Sequence, residues 1–186
     1  MSSCSQLLVF LFAAYYVLIA TSSPIGDPRV KSSTTLIQNV CSKTHNLNLC
    51  NDILNSDPRS AHADLKGLVQ ILIDKTYAKG NFALTVIASL YKNANNTETK
   101  DQLHLCVISY KSAMNNLNKA NAALKSGNRE IISDITSVID GAESCDDVYD
   151  GPPVIPPKLE QANKNFEDIA NIIFSILFSQ LVNFCE

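Results

Sequence analysis

The stretch LHLCVISYKSAMNNLNKANAALKSGNREIISDITSVIDGAESC, Leu103 to Cys145, decides the fold. In its first arm Leu103, Cys106, Val107, Tyr110, Met114 and Leu117 recur at three- and four-residue spacing, and in its second arm Ile131, Ile135, Val138, Ile139, Ala142 and Cys145 do the same. That period marks two amphipathic helices. Lys125-Ser-Gly127-Asn128 separates them, and Gly127 suits the left-handed residue that ends a helix. Cys106 lies 21 residues before Gly127 and Cys145 lies 18 after it. At helical rise the arms are about 30 and 27 Å long, so folding one back on the other brings the two sulfurs side by side. A disulfide across the seam follows.

Working outward, 186 residues of which 46% are hydrophobic suit one soluble domain with a sizeable core. Residues 1–23 carry no charged side chain, and the run from Leu7 to Ile19 is apolar and followed by Ala20-Thr-Ser-Ser23. This reads as a secretory signal cleaved near Ser22 or Ser23, since a membrane anchor needs about 20 apolar residues. Its removal takes Cys4 and leaves cysteines at 41, 50, 106, 145 and 185. Secretion makes disulfides the default use of paired cysteines. The hairpin pairs Cys106 with Cys145, Cys41 is left for Cys50, and Cys185 is free or intermolecular. Cys41-x8-Cys50 is not a zinc spacing, and neither metal nor cofactor is expected.

Charge divides along the chain. From Pro24 to Arg129 there are 13 Lys/Arg against 7 Asp/Glu, a balance of +6, and from Glu130 to Glu186 there are 2 against 11, a balance of −9. An acidic face on the last two helices suits a basic partner surface or plain solvation, and nucleic acid is not an expected partner.

Residues 24–56 are expected to form a small N-terminal helical hairpin: a helix from Ser32 to Val40, a turn closed by Cys41 and Cys50, and a second helix from about Asn48 to Asn55. Residues 57–186 make the bundle. Asp57-Pro58 is a helix start, with Asp57 as cap and Pro58 at the first helical position. The pattern runs from Asp64 to about Asn93 through Leu65, Leu68, Val69, Leu72, Ala83, Val86, Ile87 and Leu90, with a kink or break allowed at Gly80. Further helices are expected from about Glu98 to Ser126, from Arg129 to about Asp147, and from about Lys158 to Phe184. Leu159, Phe166, Ile169, Ile173, Ile176 and Leu177 face inward on the last, whose apolar end suits the most buried helix. The prolines of Asp150-Gly-Pro-Pro-Val-Ile-Pro-Pro157 force an extended connection. The fold class is therefore all-α, an up-down-up-down four-helix bundle with an N-terminal hairpin extension, stapled by disulfides.

Catalytic constellations do not emerge. His45, His62 and His104 lie in separate elements with no triad spacing, and each reads as a surface or capping residue. Asp146-Asp147 sits at a helix C-terminus, where the dipole disfavours negative charge, and so either serves a partner or lies past the helix end. Tryptophan is absent and the aromatics are mostly Phe at core spacing, which disfavours direct polysaccharide binding through aromatic platforms. The one sequon, Asn95-Asn96-Thr97, falls in a break between helices, where Asn95 can carry an oligosaccharide. Leu105 and Ile108 fall off the core stripe, either under the N-terminal hairpin or in a contact patch with Ser109 and Ser112.

Four segments resemble the plant invertase and pectin methylesterase inhibitors: Val40-Cys-Ser-Lys-Thr-His-Asn-Leu-Asn-Leu-Cys50, Ser56-Asp-Pro-Arg-Ser-Ala61 with Asp64-Leu-Lys-Gly-Leu68, Asp140-Gly-Ala-Glu-Ser-Cys145, and Asp150-Gly-Pro-Pro-Val-Ile-Pro156 leading to Leu159, Gln161-Ala162 and Glu167-Asp168. Within the family the chain looks most like the pectin methylesterase inhibitors. The resemblance implies a secreted cell-wall (apoplast) protein without catalysis, the same two disulfides, and one-to-one binding that covers an esterase's pectin cleft. It implies that Leu105 to Asn116 and Ser133 to Ser144 face the enzyme through Leu105, Ile108, Ser109, Ser112, Ser133, Thr136, Ser137, Asp140, Glu143 and Ser144. Three departures stand out. Val107 to Ser112 lacks the acidic residues common in esterase inhibitors, Ala170 stands where the family has a cysteine, and Pro157-Lys158-Leu159 approaches the Pro-Lys-Phe of invertase inhibitors. Acid invertase is thus the alternative target. A non-inhibitory bundle dimerising through Cys185 or the hairpin is the alternative to a monomeric inhibitor.

Overall fold

The computed structural model describes residues 28–182, with side chains for 34–181. The expected signal segment, residues 1–23, and Cys185 lie outside the described residues. Six α-helices and one 3₁₀ turn follow in order: α1 Pro28–Cys41, α2 Leu47–Ser56, the turn Pro58–His62, α3 Leu65–Asn93, α4 Thr97–Ser126, α5 Ile131–Asp147 and α6 Pro157–Val182. No strand occurs among the described residues.

The helix ends follow from local chemistry. Asn46 caps α2 by accepting from the Leu49 N–H, Asp64 caps α3 by accepting from Gly67, and Asn96 caps α4 by accepting from Thr99. Gly127 ends α4 in the left-handed region at φ 71°, where other residues would be strained, and its N–H returns to the end of α4. At the start of α6 the Pro156 carbonyl accepts from Leu159 and Glu160, and Pro157 needs no donor there.

Asp57-Pro58 opens the 3₁₀ turn rather than the long helix. The Asp57 side chain accepts from the Arg59 N–H at 3.1 Å and its carboxylate meets the Arg59 guanidinium and the Lys75 ammonium at 2.9 and 3.3 Å. Those cations hold the buried Asp57 carboxyl far below the usual carboxylate range.

The four long helices pack in a ring, each on its neighbours in sequence, with α6 closing back on α3. Leu68, Leu72, Ile87, Leu103, Leu117, Ile135, Leu159 and Phe166 fill the centre. Every residue of the α5 stripe is buried, as are Leu103, Cys106, Tyr110 and Leu117 of α4, whereas Val107 and Met114 are half-buried. The α1–α2 hairpin adds Ile37, Val40, Cys41, Cys50 and Leu54 to the same buried cluster and rests on α3 and α6. Both disulfides form, Cys41–Cys50 with Cα atoms 5.5 Å apart and Cys106–Cys145 with Cα atoms 4.5 Å apart.

Three expectations need correction. Helix α3 passes through Gly80 without a break, because the residue lies buried under Met114 and Phe166, where a side chain would collide. The end of α6 is not the most buried segment: Phe174 and Phe178 stack on each other at 5.7 Å, and Phe178 is half exposed. Core spacing also does not hold for every aromatic, for Phe82 and Tyr91 of α3 are exposed.

Candidate functional site

Helices α4 and α5 make the most extensive seam of the bundle. Gly141 of α5 faces Ala113 and Ser109 of α4 so closely that a Cβ there would lie 2.7 Å from the Ala113 Cβ. One turn further along, the Cys106–Cys145 bridge fixes the same pair. The result is a rigid two-helix unit, and the residues expected to meet a partner lie on its two helices, with Glu143 on the side of α5 toward Glu167 of α6. Leu105 is 49% and Ile108 53% exposed. Neither is covered by the hairpin, which packs on α3 and α6 instead. Ser112, Ser133, Thr136, Asp140, Glu143 and Ser144 are exposed, and Ser109 and Ser137 are half-buried. On α5 the hydroxyls of Ser133, Thr136, Ser137 and Ser144 donate to carbonyls one turn back, so these side chains lie close against their own helix and leave the surface low. Leu105 and Ile108 are the large apolar projections.

Beneath this face runs a polar chain that sequence reading did not assign. The buried Tyr110 hydroxyl donates to Asn163 Oδ1 at 2.7 Å, and the Asn163 amide donates to Asp146 Oδ1, which ties α4, α6 and α5 together. Tyr110 also packs on Phe166 with ring centroids 5.3 Å apart. Burial pushes the Tyr110 hydroxyl well above its ordinary range and raises Asp146, which Asp147 and Glu160 raise further against the lowering effect of Asn163. Glu167 is raised by burial and then by Glu143, Asp146 and Asp168. Asp146 is thus half-buried and tied to the interior by Asn163, and it lies within the last turn of α5, not beyond it. A signal was present in the sequence: Asn163 falls between Leu159 and Phe166 at core spacing.

His45, His62 and His104 are exposed, as surface residues should be. Asn95 is exposed between α3 and α4. Among the described residues no group of three or more His, Cys, Asp or Glu side chains is placed to hold a metal ion.

A family model described as plant invertase/pectin methylesterase inhibitor matches residues 35–180. The chain belongs to the plant invertase/pectin methylesterase inhibitor family. This is a family of inhibitors and not of enzymes. The chain is 38% identical over 168 residues to a pectinesterase inhibitor of Actinidia deliciosa, covering 89% of this chain and 91% of that one. It is 32% identical over 155 residues to the cell wall / vacuolar inhibitor of fructosidase 1 of Arabidopsis thaliana, covering 81% and 72%. The fold matches a crystal structure of a mutant form of a pectin methylesterase inhibitor from Arabidopsis at a TM-score of 0.68 and 25% identity, covering 76% of this chain and 95% of that one.

Proposed function

We propose that this member of the family is a secreted inhibitor of a cell-wall pectin methylesterase, bound one-to-one by the α4–α5 face so that the pectin cleft is covered. The observation that carries this reading is the rigid seam joining α4 to α5, which presents Leu105 and Ile108 on a low surface of small hydroxyl side chains. A stiff, preorganised face loses little freedom on docking, and two adjacent apolar projections can anchor in pockets of a partner. Asp140 and Glu143 at the edge suit cations on the enzyme. The 38% identity to a pectinesterase inhibitor favours the esterase over an invertase as target.

The protein acts in the apoplast, Asn95 carries an oligosaccharide in the α3–α4 connection, and Cys185 is a free thiol on a monomer. No helix of the described residues is long and apolar enough to cross a membrane. Methanol release by purified plant pectin methylesterases at mildly acidic pH, with and without the protein, tests the reading. Inhibition lost in Leu105→Asp/Ile108→Asp with an unchanged melting temperature supports it. Absence of inhibition across several isoforms, or cleavage of sucrose by acid invertase blocked instead, overturns it.

A further inference from the structure

The groove between α3 and α4, on the flank next to the proposed docking face, is lined by cations that the chain does not neutralise. Three contacts between the helices set its register. Lys66 Nζ donates to the Lys125 carbonyl at 2.9 Å at one end, the Tyr77 hydroxyl donates to Asn118 Oδ1 in the middle, and Lys100 Nζ lies 5.9 Å from the centroid of the Tyr91 ring at the other. Lys111, seven residues before Asn118, falls on the same side of α4. From Lys66 to Tyr91 the track is about 38 Å long at helical rise.

Lys66, Lys100, Lys111 and Lys125 make no ion pair among the described residues. The nearest carboxylate on α3, Asp74, is taken by Arg59 at 2.6 Å and by Gln70 at 3.0 Å. Across α3 and α4 there are eight Lys against Asp74, Glu98 and Asp101, while α5 and α6 carry eight Asp/Glu against Lys158 and Lys164. The ring order places these two pairs of helices on opposite flanks of the bundle, so the positive potential of the groove is not cancelled locally. Tyr91 is 44% exposed at its end of the track and Tyr77 is half-buried at its middle.

We propose that this groove binds an acidic polysaccharide: a de-esterified pectin chain, whose carboxylates pair with Lys66, Lys100, Lys111 and Lys125 along the two helices. The identity of the polymer rests on the proposed esterase target. Each turnover of such an enzyme converts one methyl ester and one water into a carboxylate, a proton and methanol, so the enzyme makes the polyanion that the groove fits. Recognition here is led by charge, and the Tyr91 ring, overlain by the Lys100 ammonium, helps to set where that charge stands. The inhibitor is thereby held where its target has already acted, with the docking face on α4–α5 left free.

The test is binding of the full chain to immobilised polygalacturonate and to highly methyl-esterified pectin, at several salt concentrations. Lys100→Ser/Lys111→Ser is compared with Lys158→Ser/Lys164→Ser, which removes the same charge from the opposite flank. Expected are retention on polygalacturonate only, a loss of about tenfold in affinity with a shallower salt dependence for the groove variant, and less than about twofold for the control. Equal retention on both polymers, or equal losses in both variants, overturns the proposal. Loss of direct binding to purified esterase by the groove variant also overturns it, since the lysines then belong to the protein interface. Selective binding to polygalacturonate by a protein that binds no esterase would sink the inhibitor reading and leave the groove standing.

Discussion

Replacing Gly141 by Ala sets two opposed effects against each other, and the geometry decides between them. Alanine in a helix interior is favoured over glycine by about 1 kcal/mol, so with open space around it the variant would be more stable. At Gly141, however, the new Cβ lies 2.7 Å from the Ala113 Cβ, 3.1 Å from the Ser109 carbonyl oxygen and 3.3 Å from the Ala113 Cα. Carbon atoms in good contact stand about 3.5–4.0 Å apart, so the methyl pair is too close by about 1 Å. None of these atoms can rotate away, because two are backbone and the third is a methyl fixed to it. The helices cannot separate freely either, since Cys106 and Cys145 hold them one to two turns away. Overpacking of this kind costs about 1–3 kcal/mol, which outweighs the propensity gain. The expected net loss is about 1 kcal/mol, or about 2–4 °C in melting temperature for a chain of this size. Calorimetry of the variant measures it. In Ala113→Gly/Gly141→Ala the methyl clash is gone, so the pair should be less destabilised than the two single losses summed. A Gly141→Ala protein that melts at or above the parent would refute the claim that the seam is too tight for a side chain.

Three further outcomes follow from the same structure. Asp57 is depressed in the fold, so its contribution is present above about pH 3.9 and is lost as pH falls toward its folded value. Asp146 and Glu167 are raised, so their cost appears as pH climbs above about 4 and is complete once both have ionised in the fold. Urea unfolding across pH should therefore show stability falling from pH 4 upward, with a flatter profile in Asp146→Asn, and a monotonic rise from pH 4 to 7 would contradict this. Removing Cys106–Cys145 as an alanine pair should cost about 4 kcal/mol and removing Cys41–Cys50 about 2.7, because the first closes the longer loop; equal losses in denaturant titrations would count against that ordering. Tyr110→Phe leaves the buried Asn163 oxygen without its donor, and chemical denaturation should register about 1–3 kcal/mol. No change there would mean that the chain through Asn163 does not brace the bundle.

The sequence by itself determined the helices, their order and the two staples. Periodicity, the cap at Asp57, the stop at Gly127 and the prolines before Leu159 are local, and a disulfide between two nearly equal arms needs only helical rise to be inferred. It also placed Leu105 and Ile108 off the core stripe, because a residue's angle around its own helix is fixed by its number. Which neighbour covers a given side chain depends on several helices at once, and that only the tertiary structure decided. The hairpin rests on α3 and α6, so Leu105 and Ile108 stay exposed. Gly80 keeps α3 intact because Met114 and Phe166 arrive from α4 and α6 to fill the space a side chain would need. Asp146 turns inward because Asn163, 17 residues later, comes to meet it. The lysine groove needs α3 and α4 set in register, and that register is a product of packing between elements, which no single stretch of sequence records.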